Sequence, residues 1–234
     1  MPEPLVLLPG MMCDWRLWRH QIDALSLGGE RAVSVGDITR GCSVPALAEH
    51  VLAEAPERFA LAGLSMGGIV ALEIWRQQPE RVSRLALLDT NHLADPSERQ
   101  ALRNDQIARV LNGELMPILR EELKPNYLAS VHRGNTGLLD EVMAMGVELG
   151  ATVFERQSIA LRDRPDSGLT LGTINRPTLV LCGDEDQLCP PERHRAMAAL
   201  LPDPELVVIQ QCGHLATLEQ PAAVTQALSN WLQR

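Results

Sequence analysis

The sequence predicts an α/β fold in a single domain: a mostly parallel central sheet with helices on both faces, interrupted after its fourth strand by an all-helical insertion. Two observations carry this reading. From Pro4 onward, short apolar runs without polar alternation, the mark of strands buried on both faces, take turns with longer amphipathic stretches. From about residue 95 to residue 166 that rhythm stops, and helical periodicity continues without a convincing strand. Residues 95–166 are therefore expected to form a helical cap, with 1–94 and 167–234 as the core.

Strands are expected at 5–8, 32–35, 59–64, 82–88, 178–182 and 206–209, each a near-continuous run of Val, Leu, Ile and Ala. Between them, helices are expected at 45–55, 66–78, 192–200 and 222–232. Inside the insertion, Asn112-Gly113, Pro117, Pro125, Gly134 and Gly150 act as punctuation, which predicts four or five short helices rather than one long rod. A chain of 234 residues buries roughly 70–75% of its unfolded surface, so its core closes without a disulfide or metal staple.

Charge narrows the function. Twenty-one Lys+Arg against 30 Asp+Glu give −9, which disfavours nucleic acid and anionic membranes as partners, and no basic cluster offsets it. The apolar stretch Leu5 to Met12 is too short for a membrane span and lacks the basic segment of a secretion signal. Cys13, Cys42, Cys182, Cys189 and Cys212 form an odd set without a CxxC pair, which suits reduced thiols and a cytoplasmic location. No HExxH, GxxxxGKS or strand-to-helix GxGxxG is present, so neither a metal nor a nucleotide cofactor is expected.

The chemistry-bearing motif is Gly63-x-Ser65-x-Gly67, placed between the third strand and the helix from Met66. A serine on so sharp a turn occupies strained backbone, and its flanking positions need glycine to make room for neighbouring main chain. The turn presents Ser65 Oγ above the sheet, beside the free N–H groups and positive dipole end of the following helix.

In this context the motif resembles the nucleophile elbow of the α/β-hydrolase family, and the resemblance runs over nearly the whole chain. It implies the α/β-hydrolase fold and a triad in the order nucleophile, acid, histidine. Gly183-Asp184-Glu185-Asp186 after the fifth strand looks like the family's acid turn and points to Asp186. Asp184 and Glu185 are adjacent alternatives, and Asp89, which ends the fourth strand, is the position some members use instead. Gln211-Cys212-Gly213-His214 supplies the histidine. Pro9-Gly10-Met11 stands where the family places a His-Gly-x oxyanion loop; Pro9 replaces the histidine, and the resemblance assigns the backbone N–H groups of Met11 and Met66 as donors.

The remaining histidines divide in two. His20, His50 and His194 are expected at the surface of helices, whereas His92 follows the fourth strand toward a pocket and His132 belongs to the insertion. Leu111, Leu115, Met116, Leu119, Leu138, Leu139, Met143, Met145 and Phe154 could line an acyl pocket, Met143 and Met145 being the leading substrate-binding candidates, but helix packing accounts for most of the set. Arg120, Lys124, Arg133, Arg162 and Arg164 are available for a substrate carboxylate, and a solvated face is the expected role.

The sequence thus reads as a cofactor-independent serine hydrolase that cleaves a small-molecule ester or lactone through an acyl-enzyme. The same triad also serves carbon–carbon cleavage of a diketone, hydrolysis of an enol-lactone or amide, or perhydrolysis. A non-catalytic receptor is a third reading, which a complete triad disfavours.

Overall fold

The computed structural model describes residues 2–234. Its six strands are β1 (Leu5–Leu8), β2 (Val33–Val35), β3 (Phe59–Leu64), β4 (Val82–Leu88), β5 (Thr178–Gly183) and β6 (Pro204–Ile209). They form one sheet in the order β2-β1-β3-β4-β5-β6, every pair parallel. The register aligns Leu8 with Gly63, and Leu64 with Leu88, so that β1, β3 and β4 end together where Ser65 begins.

Side chains alternate across the sheet and build two cores. Leu5 and Leu7 of β1 enter one with Leu17, Trp18 and Trp231; Val6 and Leu8 enter the other with Leu47, Val51 and Val70. The first core packs α1 (Arg19–Leu25) and α10 (Pro221–Trp231) on one face, and the second packs α2 (Val44–Glu54), α3 (Met66–Gln77) and α8 (Pro191–Leu200) on the other. Ser43 caps α2 by accepting the Ala46 N–H, with Pro45 in the first turn.

One expectation needs correction. The outer strands β2 and β6 are only partly buried, because an edge strand lacks a neighbour on one side, and an unbroken apolar run does not reveal that position. The segment from Trp15 to Leu25, for which no element was expected, is a 3₁₀ turn at Trp15–Trp18 leading into α1, with Asp14 accepting the Arg16 N–H at its start.

Between β4 and β5 the chain holds helices and turns and, among the described residues, no strand: α4 (Ser97–Arg109), a run of π and 3₁₀ turns around α5 (Leu115–Pro117), α6 (Thr136–Arg162) and α7 (Gly168–Leu171). Short pieces are found as expected from Val110 to Asn126, and α6 is itself two helices meeting at a kink. Gly150 leaves helical geometry within it, at φ 78° and ψ 178°, the break that its glycine predicts. Among the described residues no helix is long and apolar enough to cross a membrane.

Candidate active site

Ser65 occupies the turn between β3 and α3 at φ 54° and ψ −116°, a conformation that non-glycine residues rarely adopt. Neighbouring backbone holds it there: the Ser65 N–H donates to Leu88 O at 2.9 Å, and Thr90 Oγ1 donates to Ser65 O at 2.6 Å. The turn admits only glycine on either side. A Cβ on Gly63 would stand 2.3 Å from Gly67 O, and one on Gly67 would stand 2.3 Å from Leu8 O.

The serine hydroxyl lies 2.9 Å from His214 Nε2. On the other side of the ring, His214 Nδ1 faces both oxygens of Asp186, at 2.9 and 3.0 Å, which places the proton on Nδ1 and leaves Nε2 as acceptor. Asp186 is fixed in turn by the Leu188 and Cys189 N–H groups, each donating to Oδ1 at 2.9 Å. The carboxylate and imidazole are buried, whereas Ser65 is half-buried at the cavity wall. A hydroxyl, imidazole and carboxylate in this order can move the serine proton onto the ring while the carboxylate steadies the resulting imidazolium.

The neighbouring acids have other partners. Asp184 accepts the Cys212 N–H, and Glu185 accepts the N–H and hydroxyl of Ser130. Asp89, itself at φ 45°, accepts Gly183 N–H at 3.1 Å and Ala216 N–H at 3.2 Å, joining the loops that carry Asp186 and His214. Burial, then the nearby charge of Asp186, pushes the Asp89 carboxyl well above the usual carboxylate range. Asp186, Cys189 and His214 offer ligand atoms within 4.8 Å of one another. As a metal site the set is poor: Asp186 is already taken by three donors, and burial pushes the Cys189 thiol up, away from thiolate.

The insertion touches the histidine directly. His214 N–H donates to Tyr127 O at 2.7 Å, and the two rings lie 5.9 Å apart. Glu219, in α9 (Ala216–Glu219), accepts Gly213 N–H at 2.9 Å and Ala129 N–H at 2.7 Å. His132 Nδ1 lies 3.1 Å from the same carboxylate.

A family model described as the alpha/beta hydrolase family matches residues 5–227. The chain belongs to the alpha/beta hydrolase family. A thermophilic esterase from Thermogutta terrifontis, solved with malate bound, superposes with a TM-score of 0.90 at 29% identity, covering 100% of this chain and 90% of that one. The pimeloyl-[acyl-carrier protein] methyl ester esterase of Aromatoleum aromaticum is 25% identical over 80% of this chain and 78% of its own length. The 2-hydroxy-6-oxononadienedioate/2-hydroxy-6-oxononatrienedioate hydrolase of Cupriavidus pinatubonensis is 28% identical over 75% of this chain and 62% of its own length.

In this alpha/beta hydrolase family member a cavity of about 320 Å³ opens on Ser65 and His214, with Met11 and Met66 in its wall. Neither the Met11 nor the Met66 N–H donates to another group among the described residues. Met12, at φ 56°, instead gives its N–H to Gln157 Oε1 at 2.8 Å, and Gln157 Nε2 donates to Ile38 O, so a buried residue of α6 pins the loop after β1.

The apolar residues of the insertion in the wall are Pro96, Leu123, Tyr127 and Leu161, none of the nine singled out from sequence. Met143 and Met145 are absent from the lining: Met145 is fully buried in the first core and Met143 packs against that core, so both fill space between helices. Leu111 and Met116 are exposed. His92 is not in the lining either.

Charged side chains depart further from expectation. Arg164, expected on a solvated face, is buried in the cavity wall against Asp95, and Lys124 is buried with its ammonium on Leu139 O. His194, expected at the surface of α8, is fully buried. Sequence reasoning missed Arg99 and Arg103, whose spacing of four residues on a helix, without an acid at the intervening contact positions, was a readable sign of a shared face.

Proposed function

We propose that the chain is a serine hydrolase that cleaves a carboxylic ester or lactone, with Ser65 as nucleophile, His214 as general base and then acid, and Asp186 as its orienting carboxylate. The observation that supports this most directly is the unbroken chain from Ser65 Oγ through His214 to Asp186 at 2.9 Å and 2.9 Å, anchored on a strained serine. As Ser65 Oγ bonds to the substrate carbonyl carbon, its proton passes to His214 Nε2. The oxyanion is received by the Met11 and Met66 N–H groups, preorganised donors of the kind that each contribute roughly 2.7–4 kcal/mol to transition-state stabilisation. His214 returns the proton to the departing oxygen, and a water deprotonated by the same imidazole releases the acid from Ser65. Asp89 spans the acid and histidine loops without touching the imidazole, a positioning role. Residues 95–166 serve as the cap over this cavity, and no cofactor takes part.

Esterase chemistry is also the activity named for the Thermogutta and Aromatoleum relatives. A second reading keeps the triad and changes the bond, and the Cupriavidus hydrolase, named for an oxo-dioate substrate, motivates it. Hydrolysis of p-nitrophenyl esters from acetate to decanoate, by wild type and Ser65→Ala in parallel, tests the proposal. Serine-dependent turnover of any member supports it. Stoichiometric labelling of Ser65 by a fluorophosphonate without ester turnover would move the assignment to the second reading, and absence of labelling would reject both.

A further inference from the structure

The cavity at Ser65 is lined by Arg99, Arg103, Arg164 and Arg193 against Asp95, in a chain whose net charge is −9. The local excess of positive charge therefore opposes that of the molecule. Its centre is Asp95, a buried carboxylate shared by two guanidinium groups: Arg103 Nε donates to Oδ2 at 2.5 Å and Arg164 Nη2 to Oδ1 at 2.7 Å. Arg164 is otherwise satisfied, giving Nε to Leu93 O and Nη1 to Leu161 O.

Arg103 is not satisfied. Its side chain is 9% exposed, yet beyond Asp95 its contact is Nη1 against Met11 Sδ at 3.9 Å, a weak acceptor. One turn earlier on α4, the half-buried Arg99 has no side-chain partner among the described residues, and neither has Arg193 on α8. Two cations sharing one carboxylate leave a positive charge uncompensated where burial disfavours it, and burial holds both Arg103 and Arg164 below the usual guanidinium range. The missing component is an acceptor with Asp95's own geometry, since the planar fork of arginine matches a carboxylate in two parallel hydrogen bonds.

We propose that the substrate carries a second acidic function, a carboxylate distinct from the bond that is cleaved, received by Arg103 and Arg99 with Arg193 facing them from α8. The inference rests on the hydrolase reading for where cleavage occurs. Contact of Arg103 with Met11 sets the carboxylate beside the loop assigned to the oxyanion, and about 320 Å³ is at the small end of ligand pockets, which run roughly 300–1,000 Å³. The substrate class is thus a short half-ester or lactone of a dicarboxylic acid.

The test compares p-nitrophenyl hydrogen glutarate with p-nitrophenyl pentanoate, equal in acyl carbons and differing in the terminal carboxylate. Wild type is expected to favour the acid-ended ester by at least about tenfold in kcat/KM, and Arg103→Gln and Arg99→Gln each to shrink that ratio by about tenfold. The Arg99 side chain makes no hydrogen bond among the described residues, so its variant keeps the test independent of the Asp95 cluster. No preference in wild type, or an unchanged ratio in both variants, would overturn the proposal. Calorimetry on Ser65→Ala with monomethyl and dimethyl glutarate reads the pocket without catalysis. Tighter binding of the monoacid to Ser65→Ala, together with no turnover of either p-nitrophenyl ester by wild type, would support the anionic pocket and reject the esterase reading alone. Equal binding of the two would reject the pocket.

Discussion

Thr90 donates its backbone N–H to Nε2 of His194 at 3.0 Å, in the layer behind Ser65. The Thr90 hydroxyl donates to the Ser65 carbonyl at 2.6 Å, so a histidine outside the proposed triad braces the turn that holds the nucleophile. Because Nε2 accepts, the His194 proton sits on Nδ1, toward Pro190 O at 3.3 Å. Burial pushes this imidazole down to about 4.

That depression makes His194 a pH-dependent stabiliser. The folded chain keeps it neutral to about pH 4, whereas the unfolded chain protonates it near 6.5. Its contribution is therefore complete above the unfolded value and is lost as pH falls toward the folded one, on the order of 3 kcal/mol across that window. Thermal unfolding of wild type should show this decline, and His194→Gln should be less stable at pH 7.5 but flatter between pH 6.5 and 4. Parallel profiles would remove His194 as the source.

Ser65→Ala and His214→Ala should each lower kcat on a p-nitrophenyl ester by about 10⁴- to 10⁶-fold, and the double variant should lose little more, because the groups act as a unit. Asp186→Asn should cost about 10⁴-fold, since an amide cannot hold the imidazole proton on Nδ1 or steady its charge. Losses that multiply in the double variant would mean that the two residues act separately.

Asp89→Asn should retain turnover to within about tenfold, because it removes one of two loop-bridging acceptors and leaves the His214 partner untouched. The sign of its pH dependence is opposite to that of His194. A carboxyl raised by burial contributes most below its unfolded value and loses that contribution as pH rises through the folded one. The stability of Asp89→Asn relative to wild type should therefore improve from pH 4 to pH 8. A collapse in activity comparable to Asp186→Asn would reassign the acid.

Gly67→Ala should destabilise the fold by about 3 kcal/mol, the upper end for overpacking, because its Cβ would meet the β1 backbone rather than a side chain that can turn away. Chemical denaturation measures this directly. A change under about 1 kcal/mol would show that β1 and the elbow can separate.

The elbow was legible in the sequence to the residue because its determinants are local: a buried strand run, glycines two apart from the serine and a helix at once after it. Asp186 and His214 were legible through family resemblance, and their loops follow strands where the chain order requires them. What escaped depends on pairing between distant segments. Asp95 meets Arg164 across the whole insertion, so nothing near either residue announces a buried ion cluster. His194 looks like any histidine on a polar helix until β4 delivers the Thr90 N–H to it. Edge strands failed for the same reason, since a run of Val and Leu does not say how many neighbours it will have.

The staple through Glu219 and Tyr127 bears on how relatives of this fold can diverge. The stretch that lines one side of the cavity also supports the His214 loop. Exchanging residues 95–166 for another member's insertion, or splicing β4 straight to β5, would alter selectivity and unseat the histidine in one stroke. Point changes along α4 leave these contacts in place, whereas a graft of the whole insertion keeps them only if it carries the stem from Tyr127 to Ser130 with it.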